Sequence, residues 1–450
     1  MNDAYDDAQN ESSVPVPPGG PTALELDRAH VFHSWSAQGS LAPMTIVGGK
    51  GCELYDDAGR VLLDFSSQMV NTNIGHQHPA VIEGIVAQAR TLATVAPGHA
   101  NLARGRAAQL IAARAPEGMD KVYFTNGGAD AIENAIRMAR LVTGRDKVVS
   151  SYRSYHGNTG AAAVATGDWR RMPNEFARGH VHAFTPYLYR SEFFATTPQE
   201  ESERALRHLE RVVVAEGAGT VAAVLLETVP GTAGVLVPPP GYLSGVREVC
   251  DRHSIVLILD EVMAGFGRTG EWLALDGFDV RPDLITFAKG VNSGYVPAGG
   301  VIISEPIADH FDDRVFPGGL TYSGHPLAMG SIVAALEAMD SEGIVDNAKR
   351  IGTDVLGPGL RALADAHPDV VGEVRGLGVF WDVELVADTA TREPLDAVAM
   401  GRLKAACIER GLLPFVAENR VHVVPPCIIT DTEVDRGLDI LDEALSTLPS

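Results

Sequence analysis

The stretch Ile255-Val256-Leu257-Ile258-Leu259-Asp260-Glu261-Val262 reads as a buried strand that ends in a carboxylate. Its apolar run shows no alternation, the mark of a strand covered on both faces, as in parallel sheets flanked by helices. Ligands of such open sheets bind outside the carboxyl ends of the strands, so Asp260 stands where chemistry is usually done. Short runs of the same kind recur at Lys121–Phe124, Lys147–Ser151, Val221–Leu226, Leu284–Ala288 and Gly300–Ile303. Amphipathic stretches separate them, clearest at Ala129–Val142 and Glu203–Val214, where apolar residues return at three- and four-residue steps. From about 76 to 346 the pattern therefore predicts a large α/β domain, a mostly parallel mixed sheet flanked by helices.

The flanks read differently. Residues 21–75 contain two alternating runs around Asp56-Asp57-Ala58-Gly59, a hairpin, and form the N-terminal part of a small domain. Residues 347–450 mix helices with the strands Gly378–Leu385 and Val421–Val424, so the small domain is α+β and draws on both termini. Residues 1–20 are acidic, then rich in Pro and Gly, with too little apolar surface to offset the entropy of ordering; they read as a flexible arm.

Among 450 residues, Lys and Arg number 36 against 58 Asp and Glu, a net charge of −22. That balance repels nucleic acid and anionic membrane surfaces and excludes both as expected partners. Cys52, Cys250, Cys407 and Cys427 form no CxxC pair, so neither a metal site nor a disulfide framework is expected. No run approaches the roughly 18 apolar residues of a membrane span, and the N-terminus lacks a basic then apolar leader. A cytoplasmic protein is expected.

A second strand, Leu284-Ile285-Thr286-Phe287-Ala288, ends in Lys289-Gly290 and brings an amine to the edge that carries Asp260. Singly, Asp260 reads as a turn cap and Lys289 as a surface lysine; together they are the pair pyridoxal 5′-phosphate needs. A lysine holds its aldehyde as an imine, and an acid keeps its pyridine nitrogen protonated. Tyr123-Phe124-Thr125-Asn126-Gly127-Gly128-Ala129-Asp130-Ala131 runs from a strand through a Gly turn into a helix, whose free N–H groups and dipole suit a phosphate.

In this order these residues resemble the class III (ω-amino acid) aminotransferases of fold type I, from about Ala29 to Leu445. The most specific piece is Leu259-Asp260-Glu261-Val262-Met263-Ala264-Gly265-Phe266-Gly267-Arg268-Thr269-Gly270, followed by Thr286-Phe287-Ala288-Lys289-Gly290. The resemblance implies pyridoxal 5′-phosphate as a Schiff base on Lys289, which also moves the substrate proton, with Asp260 on the pyridine nitrogen. It places Val262 on one ring face and Tyr155, of Tyr155-His156-Gly157, on the other. Gly127, Gly128 and Ala129 would hold the phosphate through their backbone, with His156 and Glu227 close by. Thr321 would reach the phosphate of a neighbouring subunit, which makes a homodimer the minimal active unit, alone or within a tetramer. One departure stands out: the family's phosphate turn carries two side-chain hydroxyls, and Asn126-Gly127-Gly128-Ala129 has neither.

The activity implied is transfer of an amino group, by way of pyridoxamine phosphate, from an ω-amino acid or primary amine to pyruvate or 2-oxoglutarate. Taurine, β-alanine and arylalkylamines are the expected donors in that order, and pyruvate stands slightly ahead as acceptor. One pocket must then accept an acid and an uncharged chain in turn, which an arginine that grips carboxylate and yields can achieve. Arg420 is the candidate. Its offset from Pro425-Pro426 differs from the arginines of aminobutyrate-type and amine:pyruvate relatives, whose places fall on His422 and Phe415. Phe32 and Trp35, in His30-Val31-Phe32-His33-Ser34-Trp35-Ser36, resemble the segment lining the substrate entrance in taurine and β-alanine transaminases. An aminomutase, racemase or decarboxylase would use the same Lys289 and Asp260. Gly265-Phe266-Gly267-Arg268-Thr269-Gly270 formally matches a dinucleotide fingerprint, but Glu261 to Ala264 separate it from its strand, so a nicotinamide oxidoreductase is a weak alternative.

Overall fold

The computed structural model describes residues 20–175 and 177–448. The arm expected over residues 1–20 lies outside the described residues, apart from Gly20. Among the described residues sixteen strands follow in chain order: β1 (Ile46–Lys50), β2 (Glu53–Asp56), β3 (Val61–Asp64), β4 (Lys121–Thr125), β5 (Lys147–Ser151), β6 (His180–Ala183), β7 (Val221–Glu227) and β8 (Val256–Asp260). They continue with β9 (Leu284–Phe287), β10 (Gly299–Ile303), β11 (Val371–Leu377), β12 (Phe380–Asp388), β13 (Glu393–Pro394), β14 (Leu412–Leu413), β15 (Phe415–Ala417) and β16 (Arg420–Val423).

The central sheet has seven strands in the order β4-β10-β9-β8-β7-β5-β6. All pairs are parallel except those of β10, which runs against both β4 and β9. The period of two explains why these strands are apolar throughout. Val224, Leu226, Leu257, Leu259, Ile285, Phe287 and Ile302 join one core, while Ala223, Leu225, Ile258, Leu284, Val301 and Ile303 join another on the opposite face. The second core is closed by the helix Gly128–Thr143, which buries Ala131, Ile132, Ala135, Ile136, Met138 and Ala139 at helical spacing. That helix ends at Gly144, whose positive φ of 66° suits a residue without a side chain.

The smaller sheets lie in the flanks. The expected N-terminal hairpin is β2–β3, antiparallel, within a sheet ordered β1-β2-β3-β14. Because β14 pairs in parallel with β3, this sheet draws on both ends of the chain. The other sheet runs β11-β12-β16-β15, with β13 beside β12. The strand expected at Gly378–Leu385 is present as β12 but starts two residues later, because Gly378, at φ 52°, lies in the turn that joins β11 to β12 in a hairpin. A Cβ at Gly378 would come within 2.3 Å of the Thr269 backbone, so only glycine fits the turn. The helix expected from Glu203 starts earlier, at Pro198, because Thr197 accepts a hydrogen bond from the Glu200 N–H and proline is tolerated in a first turn.

Arg268, inside the stretch that mimics a dinucleotide fingerprint, has no exposed surface. Its guanidinium donates to the carbonyl oxygens of Pro425 and Val379 (3.2 Å) and to Asn73 Oδ1 (2.7 Å), tying three separate segments together. Turns, not a helix, occupy residues 262–269, so the context a dinucleotide motif requires is absent there.

Candidate active site

Sheet register sets the first row of the site. Glu227 at the end of β7 lies opposite Asp260 at the end of β8, which in turn lies opposite Thr286 of β9. Lys289 follows β9 after one residue, Ala288. It takes a positive φ of 46°, a strained conformation for a residue with a side chain and one that recurs where function fixes the backbone. Burial pushes the Lys289 ammonium below the usual lysine value, against the opposing pull of Asp260 and Glu227.

Asp260 is buried and fully engaged on the protein side. His156 Nδ1 donates to its Oδ2 at 2.8 Å, and the Val262 N–H donates to Oδ1 at 3.0 Å. The other ring nitrogen of His156 is buried with no protein partner. Glu227 uses both oxygens locally, accepting the Tyr155 N–H and the Gly231 N–H at 2.9 Å each. Burial holds its carboxyl above the usual range, and the neighbouring Asp260 adds to the effect. Glu227 thus fixes the backbone that carries Tyr155.

These residues line a cavity of about 350 Å³, together with Asn126, Gly127, Gly128, Ala129, Tyr155, His156, Val262 and Lys289. At one end the helix Gly128–Thr143 begins without a side-chain cap, so its first N–H groups point at the cavity unsatisfied by protein. Gly128 is required there: a Cβ would lie 2.9 Å from Val262 Cγ1. The loss of two hydroxyls at this turn therefore leaves a backbone cradle intact. A planar ring carrying a phosphate, an aldehyde and a basic nitrogen fits this donor set: helix N–H groups for phosphate, Lys289 for the aldehyde, Asp260 for the nitrogen.

Lys289 also borders a second cavity of about 550 Å³, lined by Trp35, Met69, Arg153, Tyr155, Asp168, Arg170, Thr232, Met263, Phe415, Glu418 and Arg420. Trp35 meets Tyr155 edge-on, with ring centroids 6.4 Å apart. Arg420 is buried along this wall. Phe32 is not brought in; it stands 86% exposed and lines neither cavity. Thr321 is exposed and also lies outside both cavities.

Several lining residues have no counterpart in the sequence reading. Arg170 stacks over the Tyr155 ring at 3.9 Å and is held by Asp168. The only signal for it was the clustering of Asp168, Trp169, Arg170 and Arg171, aromatic and charged within one short turn. Asn71 and Asn292 reach the first cavity from distant loops, and nothing in their local sequence marks them.

Comparison with known proteins identifies the family. The family model for aminotransferase class-III matches residues 35–445. A taurine–pyruvate aminotransferase of Rhodobacter capsulatus is 32% identical over 97% of this chain and 99% of its own. A hypotaurine/taurine–pyruvate aminotransferase of Paracoccus denitrificans is 33% identical over 94% and 96%. Among solved structures, the taurine:2-oxoglutarate aminotransferase of Bifidobacterium kashiwanohense, in complex with PLP and glutamate, superposes with a TM-score of 0.92 at 38% identity, covering 96% of this chain and 98% of that one. With the family model spanning nearly the whole chain and the acid, amine and helix terminus meeting in one cavity, this protein belongs to the class III aminotransferases.

Proposed function

We propose that this enzyme uses pyridoxal 5′-phosphate to transfer the amino group of an ω-amino acid or primary amine, taurine foremost, to a 2-oxo acid, pyruvate or 2-oxoglutarate. The observation that carries this reading is the convergence of Lys289, Asp260 and the uncapped helix terminus at Gly128 on one cavity that shares Tyr155, Thr232, Met263 and Lys289 with an arginine-lined one. Relatives acting on taurine with either acceptor support the substrate class.

When bound, the cofactor supplies an electron-accepting ring that makes the substrate C–H acidic. The chain supplies the rest. Lys289 Nζ, already biased toward its neutral form by burial, tethers the cofactor and moves the proton. Asp260, positioned by His156 and the Val262 N–H, keeps the ring nitrogen protonated. Val262 and Tyr155 would cover the two ring faces, with Tyr155 fixed by Glu227. The backbone of Gly127, Gly128 and Ala129 would bind phosphate, and Arg420 and Arg170 the acid group of the substrate.

Thr321, exposed and lining neither cavity of its own chain, is assigned to the phosphate of a second subunit, so the active form is a homodimer. The large domain is taken as 76–346 and the small domain as 21–75 with 347–450. The four cysteines are free and buried, which fits a reducing compartment, and we place the enzyme in the cytoplasm, a placement cell fractionation tests. No helix among the described residues is long and apolar enough to cross a membrane.

The deciding experiment is a panel of amines with pyruvate and with 2-oxoglutarate. Taurine is expected to give stoichiometric alanine or glutamate; amine consumption without a new amino acid would favour an aminomutase, racemase or decarboxylase instead. Light scattering on the same preparation is expected to show twice the chain mass, and a monomer with full activity would remove Thr321 from the site.

A further inference from the structure

Four consecutive residues beside the larger cavity, none of them glycine, have a positive φ: Ser67 (42°), Gln68 (48°), Met69 (68°) and Val70 (60°). The Val70 N–H donates to the Ser66 carbonyl at 3.0 Å and the Asn71 N–H to the Ser67 carbonyl at 2.7 Å, so the segment is one turn of left-handed helix. Each L residue there presses its Cβ toward a carbonyl oxygen, which is why left-handed residues normally occur singly. Such a conformation persists only where its surroundings over-determine it, and it collects at functional sites. This turn puts Met69 on the wall of the larger cavity and leads directly to Asn71, which lines the first. The opposite hand would carry the Met69 side chain round the other way and off that wall.

Two clamps hold the turn. On one side Asp64 Oδ1 accepts the Ser66 N–H at 2.9 Å and the Ser66 hydroxyl at 2.6 Å, and its Oδ2 accepts Gln68 Nε2 at 3.1 Å. On the other, the Ser67 hydroxyl donates to the Val424 carbonyl at 2.6 Å and accepts Arg268 Nη2 at 3.2 Å. Arg268 stands fully buried on the loop that leaves β8 after Asp260, and its acceptors are all neutral: Ser67, Asn73 and the carbonyls of Val379 and Pro425. Burial pushes its guanidinium below the usual arginine value. A buried cation with no acidic partner is costly, so packing alone would favour an apolar side chain here. What the guanidinium adds is a rigid fork that reaches four acceptors at once. Two of those acceptors control walls of the larger cavity: Ser67 begins the turn that carries Met69, and Pro425 follows β16, which carries Arg420.

We propose that Arg268 is a positioning residue for substrate binding, acting through Ser67 to hold the left-handed turn that keeps Met69 on the wall of the larger cavity. The proposal rests on the transaminase reading for its substrates. Without the Arg268–Ser67 contact the turn keeps its steric cost and loses part of what offsets it, so it relaxes toward the right-handed form. Lys289 and Asp260 are fixed by the central sheet and do not depend on this clamp, so the chemical step stays in place while the substrate wall moves.

The test uses the cofactor-loaded enzyme and the best donor of the amine panel. Ser67→Ala is expected to raise the donor's KM about 3- to 10-fold, the scale of one lost hydrogen bond, with kcat within about twofold. Arg268→Lys, whose ammonium cannot span four acceptors, should raise KM by about 10-fold or more. Arg268→Gln should move KM the same way, and it serves if the lysine form does not fold. The visible absorbance of the lysine-held pyridoxal group should be unchanged in all three. Glycine is at ease in a left-handed helix, so Gln68→Gly added to Ser67→Ala should return KM to within about twofold of the unaltered value, and Gln68→Ala should not. Melting reports on the turn without any substrate. Gln68→Gly should melt about 1–3 °C above Gln68→Ala, the reverse of the order in a right-handed helix. That lead should narrow in the Ser67→Ala background, where an unclamped turn can unwind. An unchanged KM in Ser67→Ala or in the Arg268 variants, absorbance lost in step with KM, or rescue by alanine as well as glycine would each overturn the proposal. So would the usual melting order, or a lead that Ser67→Ala leaves untouched. If the unaltered enzyme transaminates no amine, the functional reading fails, while the melting order still decides whether Ser67 holds the turn.

Discussion

Lys289→Ala is expected to abolish the visible absorbance of a lysine-held pyridoxal group and to lower transamination by about a thousandfold or more, the scale of a lost proton carrier and tether combined. The reasoning is local. Lys289 borders both cavities, and among the described residues it is the one lysine lining either of them. Its backbone conformation is set by the end of β9 and the turn after it, and alanine tolerates that conformation no worse than lysine. The fold should therefore survive, and phosphate should still bind at the helix terminus. Absorption spectra with and without added cofactor, together with a stopped assay for the product amino acid, check this. Turnover near the original rate would remove Lys289 from its assigned role.

Asp260→Asn should keep the cofactor bound yet slow the chemical step by about 100- to 1,000-fold, since the amide can still accept the Val262 N–H but no longer keeps a ring nitrogen protonated. A pH shift should accompany the loss. In the original enzyme Asp260 raises the Lys289 pKa against the larger lowering by burial. Removing its charge leaves burial less opposed, so Lys289 loses its proton at lower pH. The limb of the kcat profile that requires neutral lysine should move toward acid. A limb that stays in place would show that the two groups are not coupled, and an unchanged kcat would misplace the pairing with the ring nitrogen.

Much of the central site was legible because its signals are local. A strand that ends in Asp260, another that ends before Lys289, and a Gly turn opening the helix at Gly128 each announce themselves within ten residues. Their shared edge follows from sheet topology, since parallel strands bring their carboxyl ends together. The weaker readings failed where a local pattern had two solutions. Gly378 permits either a strand start or a turn, and the close approach of the Thr269 backbone selects the turn. Phe32 has the aromatic character of a pocket wall, yet no neighbouring element covers it.

The amino-acid sequence by itself determined which chemical groups stand at the strand ends, because burial period and chain-breaking residues act over a few positions. Only the tertiary structure decided which of those groups meet. Glu227 turns out to hold the backbone of Tyr155, Arg170 to lie on the ring of Tyr155, and Arg420 to be answered by its near neighbour Glu418. Ionic and hydrogen-bond energies fall off within a few ångströms, and for most of these pairs the distance is fixed by packing between segments far apart along the chain. For Glu418 and Arg420, close in sequence, it is fixed by a turn in which Asn419 Nδ2 donates to the Leu385 carbonyl.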